Sequence, residues 1–171
     1  LAELTAIEPP VWAGLIATYC LNLGYTVEIL DAEALGLSVE DTAIEIMSYD
    51  PVLAVFCIYG HQPSASTQCL PAASAVARIV ATSRVETLAL GTHPSALPAK
   101  TISEEPFDYV CQGEGPETIV GVLKQLKAFV AQDFLNTAAI ARVPGLWRKR
   151  KLMVEENPSA WQEAPPPPNI E

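Results

Sequence analysis

Residues 51–58 read PVLAVFCI, an unbroken apolar run of strand length. A strand that is apolar on both faces is typical of a parallel sheet covered by helices on both sides. Two similar runs follow, VETLAL at residues 85–90 and FDYVC at residues 107–111. Two more precede it, AELTAI at residues 2–7 and TVEIL at residues 26–30. Together the runs predict five strands of one sheet.

Helix signals fill the intervals between these runs. Residues 11–23 carry apolar side chains at a helical period, and Gly24 follows as a C-terminal stop. Ser38 begins SVED, a variant of the capping box, and predicts a helix that runs to about residue 48. The other predicted helices are residues 67–82, with Pro71 in the first turn, residues 98–103 and residues 114–131.

Strands that alternate with helices predict an α/β fold with an open, five-stranded parallel sheet. The flavodoxin-like (Rossmann-like) strand order 2-1-3-4-5 is the leading choice for this pattern. The pattern changes after about residue 135, where residues 143–158 read as a small β-hairpin or an extended arm, and four consecutive prolines follow at residues 165–168. We therefore expect an α/β domain at residues 1–135, and at residues 136–171 a hairpin with a proline-rich linker toward a further, catalytic domain.

The charge balance argues against a broad nucleic-acid surface. The chain has 10 basic and 20 acidic residues, a net charge of −10, and a phosphate backbone needs Lys and Arg to displace its counterions. We expect the basic stretch near the C-terminus to form a solvated hairpin or to dock an adjoining domain, not to bind nucleic acid. Its members are Arg142, Arg148, Lys149, Arg150 and Lys151.

The cysteine spacing and the hydropathy make two further predictions. Cys20, Cys57, Cys69 and Cys111 form neither a CxxC nor a CxxxCxxC motif, so we expect no zinc or iron–sulfur site built from them. Three of them lie in apolar patterns as small buried side chains, and a reducing cytoplasm is the expected location. No apolar run reaches the roughly 20 residues that span a bilayer, so no membrane span is expected.

The sequence lacks the motifs of several common functions of this fold. Two of these motifs would lie in the first loop, which reads EPPVWAG at residues 8–14. Dinucleotide binding needs GxGxxG there, and a flavin phosphate needs backbone N–H groups, two of which the prolines remove. A phosphoryl-accepting Asp is missing after residues 51–58, and no GxSxG elbow is present.

In such a sheet, ligands bind outside the carboxyl ends of the strands. The loops predicted at that edge hold both histidines of the chain, together with glycines that let the backbone approach a ligand closely. We take the following loop residues as candidate ligand-binding residues: Glu8, Pro9, Pro10, Val11, Trp12, Tyr59, Gly60, His61, Gln62, Ser64, Gly91, Thr92, His93, Pro94, Leu97, Gln112, Gly113, Glu114 and Gly115.

Three of these segments carry a family resemblance. EPPVW at residues 8–12, LGTHPSALP at residues 90–98 and FDYVCQGEGPET at residues 107–118, in that order, resemble the N-terminal cobalamin-binding domain of cobalamin-dependent radical SAM enzymes. The resemblance covers roughly residues 4–125. It implies cobalamin as cofactor and, as partner, a radical SAM barrel domain or subunit that holds a [4Fe–4S] cluster and binds S-adenosylmethionine. This chain contains no CxxxCxxC motif, so the resemblance implies a cofactor module of a methyltransferase-type enzyme, without catalytic residues of its own.

The resemblance also implies a base-off cobalamin, because Asp-x-His-x-x-Gly, the motif that ligates cobalt from below in other cobalamin proteins, is missing here. No metal ligand is predicted, and His61 is the one side chain that is expected to approach cobalt weakly, if it is not simply an exposed loop residue. Gly91 and Thr92 match two small residues that accommodate the nucleotide tail. Ser64 and Ser66 either contact that tail or cap a helix.

The other candidates also keep two interpretations. The prolines of the first loop and Trp12 either support the corrin ring or only shape and pack the strand-to-helix turn. His93 and Pro94 contact corrin amides or form a polar turn, and Glu114 with its flanking glycines binds the cofactor or only begins a helix. For the whole chain, the alternative is a non-enzymatic flavodoxin-like domain for ligand binding, sensing or protein docking.

Overall fold

The structure is a computed structural model that describes residues 9–60, 63–132, 137–140, 142–149 and 161–163. It shows the expected α/β class, in which helices cover both faces of a central sheet. None of the described helices is both long enough and apolar enough to cross a membrane.

The sheet follows chain order, β1-β2-β3-β4-β5. The first three strands are parallel, in register from Leu53↔Glu86 to Ile58↔Gly91 between β1 and β2. The next strand, β4, is antiparallel to β3, and β5 is antiparallel to β4. The strand bounds are β1 Leu53–Ile58, β2 Glu86–Gly91, β3 Tyr109–Cys111, β4 Leu146–Lys149 and β5 Trp161–Glu163.

The prediction of five parallel strands is therefore wrong, because the sheet is mixed. The predicted strand at residues 26–30 makes no strand ladder with the described residues. In the predicted order its only neighbour is the strand at residues 2–7, which lies outside the described residues. The last three predicted strands are confirmed as neighbours in the predicted order. The first and third of them are shorter than predicted, and the second is shifted by one residue.

The antiparallel β4 adds to the sheet because it completes contacts that β3 leaves open. The backbone N–H of Gln112 donates to the carbonyl of Gly145 (2.8 Å), and the indole Nε1 of Trp147 donates to Oε1 of Gln112 (3.0 Å). Leu146 and Trp147 are buried in the hydrophobic clusters on opposite faces of the sheet. This strand lies within the region predicted as a hairpin. It pairs with β3 on one side and, antiparallel, with β5 on the other, and β5 lies beyond residues 143–158.

The helices begin and end close to several predicted positions. Gly24 follows the first helix with a φ of 83°, and its N–H donates to the carbonyl of Leu21 (2.9 Å), as expected of a helix stop. Ser38 caps the second helix, since its Oγ accepts from the N–H of Asp41 (3.0 Å). The helix bounds are α1 Val11–Asn22, α2 Val39–Ser48, α3 Pro63–Val80, α4 Thr92–Ala96, α5 Pro98–Glu104, α6 Pro116–Gln132 and α7 Thr137–Ile140.

The third helix differs from the prediction at its N-terminus. It begins at Pro63, so Pro71 lies in its interior and not in its first turn. Pro63 supplies a favourable first helical residue, because proline there has a suitable φ and needs no N–H partner. Pro71 removes one helical hydrogen bond, and its exposed position keeps the carbonyl it leaves unpaired close to solvent.

The sheet buries a different hydrophobic cluster on each face because side chains alternate along the strands. On one face Leu88, Leu90 and Cys111 pack with residues of α1 and α6, such as Ile16 and Ile119. The opposite face buries Ala89 and Val110 with residues of α3 and α5. The sheet therefore carries a hydrophobic cluster on each face, and its carboxyl edge is formed by the loops.

The basic stretch is built into the sheet where the structure describes it. Arg148 and Lys149 belong to β4 and are half-buried. The Nζ of Lys149 donates to the carbonyl of Glu105 (2.5 Å), the residue directly after α5, and burial lowers the pKa of Lys149. Arg150 and Lys151 lie outside the described residues.

Candidate functional site

The three parallel strands end at one edge of the sheet. Ile58, Gly91 and Cys111 are their last residues, and β1 pairs Ile58 directly with Gly91. The segments that follow these strands therefore emerge side by side. This is the edge at which ligands of open α/β sheets bind.

An aromatic stack joins the first loop to this edge. The rings of Trp12, at the start of α1, and Tyr59, directly after β1, lie 5.1 Å apart with an interplanar angle of 17°. Trp12 remains 48% exposed, whereas Tyr59 is half-buried. Burial raises the pKa of Tyr59 to about 12, so its phenol is neutral over the physiological range. The pair presents an apolar, uncharged wall at the carboxyl edge.

Gly91 is required by the backbone of the sheet itself. Its φ is 140°, and a Cβ added there would collide with the carbonyl group of Ile58, whose carbon lies at 2.6 Å from the ideal position. The absence of a side chain at residue 91 thus allows β1 and β2 to end in close contact. The loop after β2 can then turn directly into α4.

A buried serine fixes the loops after β1 and β2 to each other. The hydroxyl of Ser66 donates to the carbonyl of Ile58 and accepts from the backbone N–H of His93 (3.0 Å). Beside it, Oγ1 of Thr67 lies 2.9 Å from Nδ1 of His93. The Ser66 hydroxyl is therefore engaged by the protein, and helix capping is not its role, because α3 begins three residues earlier.

The loop after β3 is fixed in the same manner. The N–H of Gly113 donates to Oγ of Ser95 (2.8 Å), and Oε1 of Gln112 accepts from Trp147 (3.0 Å). Gly113 and Gly115 have φ values of 106° and 103°, a region that favours glycine. Glu114, between them, is exposed. The loop thus offers one carboxylate, while the Gly113 N–H is already used within the protein.

Two thiols lie below this edge. Cys57 precedes the last residue of β1 and is paired with Leu90 of β2. Cys111 ends β3 and packs in the same hydrophobic cluster as Leu90. Burial raises the pKa of both thiols to about 11. Neutral thiols are poor nucleophiles and poor metal ligands, so they act here as small apolar groups.

The structure brings most of the predicted site residues to one edge and leaves others outside the described part. Glu8, His61 and Gln62 lie outside the described residues, and the side chain of Ser64 is exposed in the first turn of α3. Val11 and Leu97 are exposed, at 60% and 45%, whereas Pro94 is buried within α4. Pro9 and Pro10 precede α1, and Gly60 packs closely on Ala65. Thr92 and His93 open α4, a helix that the sequence did not predict.

Sequence analysis missed two supporting residues, Thr67 and Ser95. Both lie near candidate residues in the chain, but their roles depend on contacts 26 and 18 residues distant in sequence. The polar type of each residue was the only local signal. Among the described residues no cluster of three or more His, Cys, Asp or Glu side chains is placed to hold a metal ion.

Comparison with known proteins agrees with this fold. A solved structure of the radical S-adenosylmethionine methyltransferase TsrM from Kitasatospora setae, with tryptophan substrate and a SAM analogue bound, superposes with a TM-score of 0.67 at 15% identity. The match covers 85% of this chain but only 26% of that one, and at this identity it shows the fold alone. No curated protein matches the chain. A model of the B12 binding domain family matches residues 1–123, and the chain therefore belongs to that family.

Proposed function

We propose that the chain binds cobalamin in the base-off form, as the cofactor module of a radical SAM enzyme of the methyltransferase type. Family membership supports cobalamin as the ligand. The observation that carries the placement of the site is the Trp12–Tyr59 stack, which brings the start of α1 to the carboxyl edge beside the loops after β1, β2 and β3.

The chemistry of this edge fits cobalamin. A corrin is a broad, largely apolar ring whose side chains are mainly neutral amides. The stack offers an apolar wall, and Tyr59 is neutral because its pKa is raised to about 12. Gln112 brings an amide and His93 an imidazole to the same edge, and Glu114 brings one exposed carboxylate that can accept from amide N–H groups.

Cobalamin, when bound, supplies a cobalt centre that can carry a methyl group. The residues of this chain hold and orient it. Ser66 and Ser95 keep the loops after β1, β2 and β3 in one arrangement, so that the polar groups at the edge need little reorganisation when the ligand binds. The neutral thiols of Cys57 and Cys111 add no coordinating anion.

The radical SAM context is inferred from the likeness to TsrM, a radical S-adenosylmethionine methyltransferase. Because this chain spans about a quarter of that protein, the [4Fe–4S] cluster, S-adenosylmethionine and the substrate belong in our proposal to a partner barrel domain or subunit. This chain then contributes the cofactor and a surface for that partner.

The test is retention of cobalamin by the purified chain. After mixing with hydroxocobalamin and desalting, we expect about one cobalt per chain and, on reduction to Co(II), the absorption of the base-off form. The control ligand is cobinamide, which lacks the nucleotide tail and should be retained less well. A chain that retains no cobalamin under these conditions, while its circular dichroism shows that it is folded, would contradict the proposal and favour a non-enzymatic domain for another ligand.

A further inference from the structure

Helix α1 is uncharged on every side. Residues 9–27 contain no Asp, Glu, Lys or Arg, although 18% of the chain is charged. One face of the helix buries Ile16, Ala17 and Cys20 in the core. The opposite face is equally free of charge, and a helix that is apolar all round is normally covered all round. The outer face of α1 therefore suits contact with a second protein surface.

The outer face carries four side chains at helical spacing, which we call the α1 stripe: Val11, Leu15, Thr18 and Asn22. All four are exposed, Val11 at 60% and Leu15 at 58%. The hydroxyl of Thr18 donates to the carbonyl of Gly14 (2.8 Å), so its hydrogen is already used within the helix. Gly14 itself leaves a gap beside the stripe, because no heavy atom lies within 4 Å of an added Cβ. The stripe thus carries apolar side chains next to a gap that a matching side chain can fill.

The size of this face matches a small protein–protein interface. Residues 11–23 expose about half or more of five large apolar side chains, which are Val11, Trp12, Leu15, Leu21 and Leu23. Together these side chains expose roughly 500 Å², near the upper limit of the apolar patches on monomeric proteins. Two such faces in contact remove about 1,000 Å² from water, the lower limit of a specific interface.

The charges of the chain decide which partner fits. A net charge of −10 repels nucleic acid and anionic membranes. The α1 stripe has no charge with which to pair a basic protein, so the surface complementary to it is another uncharged helix face. A second copy of the chain provides such a face, and two-fold dimers are the commonest oligomers of soluble proteins.

We propose that the α1 stripe is the interface of a two-fold symmetric dimer of this chain, in which the two α1 helices cross antiparallel. Leu15 of each copy then lies against Gly14 of the other, and Val11 lies against Thr18. This inference goes beyond the proposed function and does not depend on it, because the α1 stripe is exposed without any cofactor.

Sedimentation velocity of the unsubstituted chain tests the dimer. We expect a monomer–dimer equilibrium with a Kd of about 1–100 μM, because the interface is small. Leu15→Glu should raise this Kd at least about tenfold, since it places two unpaired carboxylates in the contact. Ile44→Glu is the matched control, because Ile44 is 59% exposed on α2 and the substitution adds the same charge outside the stripe. It should change the Kd less than about twofold.

The ionic strength supplies a further readout. Both copies carry a net charge of −10, so their repulsion opposes the dimer. Added salt screens this repulsion, and the Kd of the unsubstituted chain should fall several-fold as the salt concentration rises. A dimer held by ion pairs would respond in the opposite direction.

Cysteine cross-linking gives a measurement that does not depend on the Leu15→Glu variant. Residues beside a two-fold axis approach their own copies, so Leu15→Cys should form a disulfide between two chains on mild oxidation. The exposed Cys69 is first replaced, by Cys69→Ser, in all chains compared. Ile44→Cys in the same background is the control and should stay monomeric on a non-reducing gel.

Each outcome decides the matter. A Kd raised in Leu15→Glu but not in Ile44→Glu supports the proposal, and where Leu15→Glu does not fold, a disulfide in Leu15→Cys alone does so. A chain that stays monomeric at about 200 μM, well above the expected Kd, would overturn it and leave α1 to a different protein. So would equal Kd values in the two Glu variants, equal cross-linking of the two Cys variants, or a dimer that dissociates as salt rises. Retention of cobalamin is measured separately, so a failure of the proposed function leaves these results unchanged.

Discussion

The carbonyl group of Ile58 occupies the space that a side chain on Gly91 would need. This contact lies between the last residues of β1 and β2, which are paired in register. Glycine at residue 91 is thus required for the close contact between β1 and β2, whether or not a nucleotide tail passes nearby.

Replacing Gly91 should therefore cost stability before it tests ligand binding. Gly91→Ala adds steric conflict with Ile58 and strain at a φ of 140°, and we expect the free energy of unfolding to fall by at least about 2 kcal/mol. Urea denaturation measures it. Gly14→Ala is the control, because nothing lies within 4 Å of the added Cβ in α1, and it should raise stability by up to about 1 kcal/mol. Equal stability of the Gly91→Ala variant and the unsubstituted chain would refute this.

Ser66 should contribute strongly to stability through its hydrogen bonds to the ends of β1 and α4. Ser66→Ala leaves the buried carbonyl of Ile58 and the N–H of His93 without their partner, and we expect a loss of about 1–3 kcal/mol. The amide of His93 should also exchange faster with deuterated solvent. Ser64→Ala changes an exposed hydroxyl two residues away and should alter stability by less than about 0.5 kcal/mol. Similar values for the two variants would show that the Ser66 contacts are unimportant.

The cysteines should differ sharply in reactivity. Cys69 is exposed, whereas the pKa of Cys57 and of Cys111 is raised to about 11 by burial. At pH 8 a thiol with this pKa holds about a hundredfold less thiolate than one with the ordinary value of 9.0. Iodoacetamide should therefore modify Cys69 first, as peptide mass spectrometry will show. Early modification of Cys57 or Cys111 in the folded chain would contradict this.

The same shifts fix the sign of a pH dependence. The folded state holds these two thiol protons more tightly than the unfolded state does, so the stabilisation is fully present below pH 9 and is lost as the pH rises toward 11. The free energy of unfolding should fall over this window. Cys111→Ala should make the fall shallower, and a fall of unchanged slope would argue against the buried thiols as its cause.

The basic stretch should not bind nucleic acid. Lys149 is half-buried on the carbonyl of Glu105, and Arg148 lies in the same strand, while the whole chain carries a net charge of −10. A long phosphate backbone would meet an acidic surface beyond these residues. Gel-shift assays with RNA and DNA should show no salt-sensitive, submicromolar binding, and such binding would be evidence against this interpretation.

The sequence predicted what local patterns determine. The apolar run before Tyr59, the Ser38 cap and the Gly24 stop depend on neighbouring residues, and all three were predicted correctly. The early start of α3 was missed because Pro71 was taken to lie in the first turn of the helix, whereas it lies in the interior.

Other features depend on distant partners. The helix α4 begins where Ser66 accepts from His93, 27 residues further along the chain, so no local pattern predicts it. The antiparallel β4 depends on Trp147 and Gln112, 35 residues apart. At the site, residue types identified the edge, but the stacking of Trp12 on Tyr59 required the three-dimensional structure.

The reversal of β4 has a consequence for geometry. Because β4 runs opposite to β3 and β5 runs opposite to β4, the direction of β5 is again that of the parallel strands. The carboxyl end of β5, at Glu163, therefore lies at the edge that bears Tyr59 and His93. A group tethered after Glu163 starts at the same edge as the candidate site, and a tether long enough to cross from β5 toward β1 gives it a high effective concentration there. A tether that began at Lys149 would start at the opposite edge and would first have to traverse the length of the sheet.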